Sequence, residues 1–190
     1  MTGAALAAIA GAQPTPDEDA AAIERYRAGD ARAFDGLVRK YQRPIYYLAL
    51  RYVKNADDAK DVGQRAFVKA YQALSGFRGA SSFKTWLYRI AINLALNHLR
   101  DHARERPAEI AEDALVAEAV GAARLDANDE RRRLLAALEL LPPKQRLVVE
   151  LRVFEDLSFK EVADVAECTE NAAKVNFHYA VKKLREEMKP

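Results

Sequence analysis

The chain has 190 residues, half of them hydrophobic, and its 30 Lys and Arg against 28 Asp and Glu leave a net charge of +2. That length buries one core or two small ones, and so small a total charge excludes nucleic-acid binding through net charge alone, leaving it to local clusters. The single cysteine, Cys168, excludes an internal disulfide framework and a multi-cysteine zinc site, and it fits a reducing, cytoplasmic setting.

Residues 1–19 are apolar but carry no basic residue before their Ala-rich run. They read as a disordered N-terminal tail, too short and weakly hydrophobic for a membrane span. No later segment reaches transmembrane length, so no membrane insertion is expected.

Helical periodicity begins after Pro16 and continues almost to the end, without strand-like alternation. The predicted fold class is all-α. Gly29 reads as a helix stop and Asp30 as the next cap, followed by Phe34, Leu37, Val38 and Tyr41 at core spacing. Pro44 is expected to open another helix carrying Ile45, Leu48, Ala49 and Tyr52. Asn55 to Asp58 reads as a turn and cap before a helix that runs to about Leu74. On it Asp57, Asp61, Gln64, Val68 and Tyr71 form one stripe with gaps of four and three, suited to docking on a coiled coil.

The stretch from Phe77 to Arg106 joins a small-residue loop to a helix. At about 100° per residue, Trp86, Arg89, Asn93, Asn97, Arg100 and Arg104 share one side, while Leu87, Ile90, Ala91, Leu94, Ala95 and Leu99 fill the rest. Rings for stacking, amides for base edges and cations for phosphate are the components of a single-strand site. A buried helix with a core Trp and a solvated face is the other reading of the same pattern. Residues 78–106 hold six Lys or Arg against two acids.

From 107 to 129 there are six acids, one Arg and no aromatic residue, the composition of a flexible acidic linker. A helical pattern resumes at Glu130 with Leu134, Leu135, Leu138 and Leu141, and Pro142 and Pro143 permit a new helix start. Ser158 and Glu161 have capping-box spacing. The chain breaks at Glu167 to Thr169, and Thr169 caps a last helix to about Glu187. Two helices joined by a tight turn, the second longer and basic, form a helix-turn-helix pattern. On that second helix Ala173, Phe177, Ala180, Val181 and Leu184 share an apolar arc. Asn171, Lys174, Val175, His178 and Lys182 lie opposite, as amide, cation and methyl groups able to read a major groove.

No nucleophile and base at recognisable spacing, no phosphate loop and no metal-ligand cluster emerges, and His178 has no second ligand at helical spacing. No catalytic residue, cofactor or metal site is therefore expected.

Three segments, AGDARAFDGLVRKYQRPIYYLALRYVKNADDAKDV, QRAFVKAYQALSGFRGASSFKTWLYRIAINLALNHLR and LPPKQRLVVELRVFEDLSFKEVADVAECTENAAKVNFHYAVKKLRE, in this order around an acidic linker, resemble the extracytoplasmic-function (ECF) class of RNA polymerase sigma factors. The resemblance implies two small helical domains joined by the linker 107–129. Residues 20–106 would be region 2, a helical bundle for core binding and minus-10 recognition and melting, and 130–190 region 4, a helix-turn-helix for minus-35 recognition.

It further implies that the loop Gly76 to Ser82 accepts a flipped base, with Arg78, Ser81 and Ser82 at the pocket and Asn93 beneath it. Minus-35 contacts fall to Thr169, Asn171, Lys174, Val175, His178 and Lys182. Core polymerase binding falls to Asp57, Asp61, Gln64, Val68 and Tyr71. The implied partners are RNA polymerase core, through its beta-prime and beta subunits, promoter DNA and an anti-sigma factor. The linker would be either a nucleic-acid mimic or a plain tether. Arg65 stands where the family usually has an acid, Gly63 interrupts the docking helix, and Asn176 and Tyr179 stand where Arg is common. Fewer phosphate clamps lead us to expect a weaker or unusual minus-35 preference. A stand-alone helix-turn-helix regulator is the alternative function, and it would leave the Trp86 stripe and the docking helix without a purpose.

Overall fold

The computed structural model describes residues 16–105 and 125–188, in two units that are each compact. Residues 1–15 of the expected tail and 107–124 of the expected linker lie outside the described residues. Among those described, every regular element is helical.

The first unit begins with α1, Pro16–Arg27. This start is four residues before the expected domain boundary at residue 20, and the reason is chemical. Asp19 is buried and accepts hydrogen bonds from Lys40 Nζ and from the Tyr41 hydroxyl. Burial, followed by the bond to Asp19, pushes the Tyr41 phenol well above the ordinary tyrosine range. Gly29, at φ +98°, stops the chain as expected. Asp30 accepts from the Arg32 and Ala33 amides, through its side chain and carbonyl respectively, at 3.1 and 3.0 Å. Its carboxyl is held below the usual range chiefly by the hydrogen bond from Arg25.

Helix α2 spans Ala33–Val53 without a break, with Pro44 inside it. The expectation of a new helix at Pro44 is corrected here. Proline has no N–H for the Lys40 carbonyl, and an interior proline costs about 3 kcal/mol. Leu37, Tyr41, Ile45 and Leu48 nevertheless form one buried stripe across it, and that shared packing overrides the local break.

Helix α3, Ala56–Ala73, is capped by Asn55, whose side chain accepts from the Asp57 and Asp58 amides at 2.8 and 3.1 Å. Its buried face is small: Ala59, Val62, Gly63, Ala66 and Ala70. A 3-10 turn, Leu74–Gly76, leads to the loop before α4, Phe83–Glu105. Leu87, Tyr88, Ala91, Ile92, Leu94 and Ala95 of α4 are buried against α2 and α3. Leu99, expected in that core, is 38% exposed. Tyr88 and Ile92, omitted from the expected arc, take core positions instead.

In the second unit α5 spans Leu125–Glu139, starting five residues before the expected Glu130. Leu138 and Leu141 are buried and Leu134 packs beside them, whereas Leu135 is 41% exposed. Pro142 and Pro143 start α6, Pro143–Val149, which widens into a π turn over Glu150–Phe154. Glu150 is fully buried and accepts from Arg146 Nε at 2.9 Å. Asp156, at φ +52°, turns the chain into α7, Phe159–Ala166. Both halves of the Ser158–Glu161 capping box form. Glu167, at φ +50°, ends α7, and Thr169 accepts from the Ala172 amide at 3.1 Å to cap α8, Glu170–Glu187. The helix-turn-helix is thus α7, a three-residue turn and α8.

Candidate nucleic-acid interfaces

The first candidate surface lies where the loop after α3 meets the start of α4. A groove of about 600 Å³ is lined by the loop residues Ser75, Gly76, Phe77, Arg78, Ala80 and Ser81, by Gln72 and Ala73 at the end of α3, and by Trp86 and Arg89 of α4. Its size is in the range of small-ligand sites. Trp86 is half-buried, 5.0 Å from Phe77 and 5.8 Å from Phe83 between ring centroids. It therefore belongs partly to each of the two readings, anchored in an aromatic cluster while lining the groove.

The loop itself is held in place. Gly79 adopts φ +70°, a conformation that costs glycine little. Arg27 Nη2 of α1 donates to the Phe77 carbonyl, a tie from a distant helix that no local sequence signal discloses. Ser82 caps α4, accepting from the Thr85 amide at 3.1 Å and sharing a 2.7 Å hydrogen bond with the Thr85 hydroxyl. Its expected place at the pocket is thereby joined to a structural task, and Ser82 is not among the lining residues. Ser81 and Arg78 are.

Beyond the groove, Asn93, Asn97 and Arg100 continue along the exposed side of α4. Asn93 is not among the groove's lining residues, so in place of its expected position beneath the pocket it lies one turn beyond Arg89 on α4. Arg100 donates to the Asn97 side chain and to the Leu96 carbonyl, which stiffens this part of the exposed side. Arg104 lies in the last turn of α4, beyond the described side chains.

The docking stripe on α3 is exposed throughout: Asp57, Asp61, Gln64, Val68 and Tyr71 all face solvent. Val68 is 55% and Tyr71 44% exposed, so each leaves a large apolar area open among the described residues. Tyr71 is fixed by edge-on contacts to Tyr26 and Phe34 at 5.4 and 5.2 Å. Arg65 reaches Asp61 at 3.4 Å and Lys60 reaches Asp57 at 3.1 Å, so both acids of the stripe carry an exposed helical ion pair.

On α8, Ala173, Ala180 and Leu184 are buried, with Phe177 and Val181 half-buried, while Asn171, Lys174, Val175, His178 and Lys182 are exposed, as the periodicity requires. Lys174 pairs with Glu170 at 2.6 Å. Thr169 sits at the cap, and Asn176 donates to the Ala172 carbonyl at 2.9 Å. Tyr179, named above as standing where Arg is common, is 56% exposed beside His178 and belongs to the same face. Two of the chain's three histidines, His98 and His102, were missed. They are four residues apart on α4, a spacing legible in the sequence, and Asp58 of α3 meets them.

An open groove on one helical bundle and a helix-turn-helix in the other unit are the two features that the comparisons place. Residues 37–105 match the family model for sigma-70 region 2, and residues 131–184 that for sigma-70 region 4. The RNA polymerase sigma-H factor of Pseudomonas aeruginosa is 44% identical over 164 residues, covering 81% of this chain and 85% of that protein. The ECF RNA polymerase sigma-E factor of Escherichia coli K12 is 40% identical over 161 residues, covering 79% and 83%. Among solved structures, CnrH in complex with the cytosolic domain of CnrY is similar at a TM-score of 0.66 and 26% identity, over 89% of this chain and 96% of that one. Sigma factor RpoE of Bartonella quintana, in complex with the anti-sigma factor NepR, shares the fold at a TM-score of 0.71 and 21% identity, over 83% and 97%. The chain belongs to the ECF class of RNA polymerase sigma factors, which direct promoter-specific initiation of transcription. The alternative of a stand-alone regulator is not favoured, because the whole two-region pattern is present.

Proposed function

We propose that this sigma factor divides promoter recognition between its units. The groove beside Trp86 and Arg89, with Arg78 and Ser81 in the loop, receives an unstacked base of the minus-10 non-template strand. Asn93, Asn97, Arg100 and Arg104 then guide the strand along α4. The observation that carries this reading is the groove's direct continuation into an exposed row of amides and a guanidinium. Unstacking costs a few kcal/mol, and stacking on an aromatic ring returns about 1–3 kcal/mol per base.

Helix α8 enters the major groove of the minus-35 element with Asn171, Lys174, Val175, His178 and Lys182, while Thr169 approaches the backbone from the cap. The exposed stripe of α3, from Asp57 to Tyr71, docks on core polymerase. Residues 20–106 then act as region 2 and 130–190 as region 4, with 107–129 between them. The chain supplies recognition rather than catalysis and works in the cytoplasm. Among the described residues, no helix is long and apolar enough to cross a membrane. An anti-sigma factor is the expected antagonist, in keeping with the complex in which the Bartonella quintana sigma factor was solved.

The test is reconstituted transcription from a duplex promoter with purified core. Asn93→Ala and Arg89→Ala are expected to reduce strand opening and blur minus-10 preference while the chain stays folded. Unchanged opening in both would overturn the strand-capture assignment. Minus-35 substitutions should matter less than minus-10 substitutions, and the opposite ranking would refute the weak-clamp reading of α8.

A further inference from the structure

We propose that Asp58, His98 and His102 form a binding site for a divalent transition-metal ion, zinc foremost, that clips the start of α3 to the end of α4. The three side chains come from two helices, and their ligand atoms all lie within 4.8 Å of one another. His98 and His102 are one helical turn apart, which puts both rings on the same face. Their centroids are 4.3 Å apart. Asp58 reaches them from the first turn of α3, where its amide is held by the Asn55 cap.

One of the distances already matches two ligands on a shared ion. Asp58 Oδ2 and His98 Nε2 are 3.3 Å apart, longer than the usual charge-assisted separation of about 2.7–2.9 Å. Two ligands of one tetrahedral zinc, each about 2.0–2.2 Å from the metal, stand roughly 3.4 Å apart. This pair is therefore already at ligand separation. His102 is exposed, and a rotation about its side-chain bonds closes the remaining distance.

Two imidazoles and one carboxylate are a donor set for zinc and neighbouring metals. Three protein ligands leave a position for water or for a group brought by a partner. The His98 side chain is 15% exposed and that of Asp58 34%, so the ion would sit in a shallow seat reachable from solvent. Its neighbours give the clip a consequence. Asp57, beside Asp58, begins the exposed stripe of α3, and Arg100, between the two histidines in sequence, lies on the opposite side of α4. A bound ion would hold those two surfaces in fixed register.

The experiment is a zinc titration of the tag-free full-length chain against a chromogenic chelator, followed by cobalt substitution and visible spectroscopy. One ion per chain is expected, with affinity weakened about tenfold or more in His102→Ala and in the near-isosteric Asp58→Asn. His178→Ala and Cys168→Ser should bind as the parent does, and zinc should raise the melting temperature of the parent but not of His102→Ala. Parent affinity no greater than that of His102→Ala, or binding lost in His178→Ala or Cys168→Ser, would overturn the site. His102 is exposed, so its variant decides the matter even if His98→Ala fails to fold.

Discussion

Replacing Gly63 by Ala should stabilise the first unit by about 1 kcal/mol. Gly63 lies in the interior of α3, where glycine is about 0.8–1.0 kcal/mol less favourable than alanine. The gain is realised only if the new methyl fits. A Cβ at this position would meet the Ile45 Cγ2 atom at 3.8 Å, an ordinary van der Waals contact, and nothing nearer. Overpacking therefore subtracts little, and burial of the methyl adds a fraction of the 0.8 kcal/mol that is typical per buried carbon. For a unit of this size, about 1 kcal/mol corresponds to a rise of roughly 4–8 °C in Tm. Trp86 is the only tryptophan of the chain and lies in this unit, so its fluorescence during urea unfolding reports on the first unit alone. The expected result is a higher midpoint at unchanged slope, with Gly63→Leu reversing the sign by overpacking. A lower midpoint for Gly63→Ala would show that the α2–α3 contact cannot accept even a methyl. Because Gly63 is buried, polymerase binding should not change beyond the effect of added stability.

Arg146→Ala should destabilise the second unit by about 3–5 kcal/mol, because it removes the cation that faces the fully buried Glu150 carboxylate. Thermal unfolding followed by circular dichroism would detect this, and paired replacement of both residues by apolar ones should recover most of it. Ser158→Ala removes the capping box before α7 and should cost about 1 kcal/mol, measured in the same way. The Tyr41 phenol is held neutral when folded. Its contribution is fully present below the ordinary tyrosine value of about 10 and is lost as pH rises beyond it. Alkaline denaturation curves should therefore be flatter for Tyr41→Phe; identical curves would show that Tyr41 does not link pH to stability.

What was legible in the sequence was local. Asn55, Ser158 with Glu161, and Thr169 cap helices through bonds spanning two or three residues, and their spacing announces them. Helix faces followed from periodicity, which left Asn93 on the exposed side of α4 and Asn171, Lys174, Val175, His178 and Lys182 on the exposed side of α8. The failures have tertiary causes. Pro44 looked like a helix start because its local cost is real, yet the buried stripe around it is continuous. Leu99 belongs to the apolar arc by angle but lies toward the end of α4, where less of the bundle covers it. The loop's tie to Arg27 and the meeting of Asp58 with His98 and His102 join residues about 40 to 50 apart. Composition carries no trace of such pairings until the bundle is formed.

Asp19 bears on how the protein can be divided. Composition would place the first cut at residue 20, because everything before it reads as tail. A fragment made that way would lack the carboxylate that receives Lys40 Nζ and the Tyr41 hydroxyl, leaving a buried phenol to find a new acceptor. The isolated first unit would then look feebler than it is, and the weakness would belong to the cut rather than to the protein. A fragment beginning at or before Pro16 retains the whole of α1 and gives a fair measure of what this unit does alone.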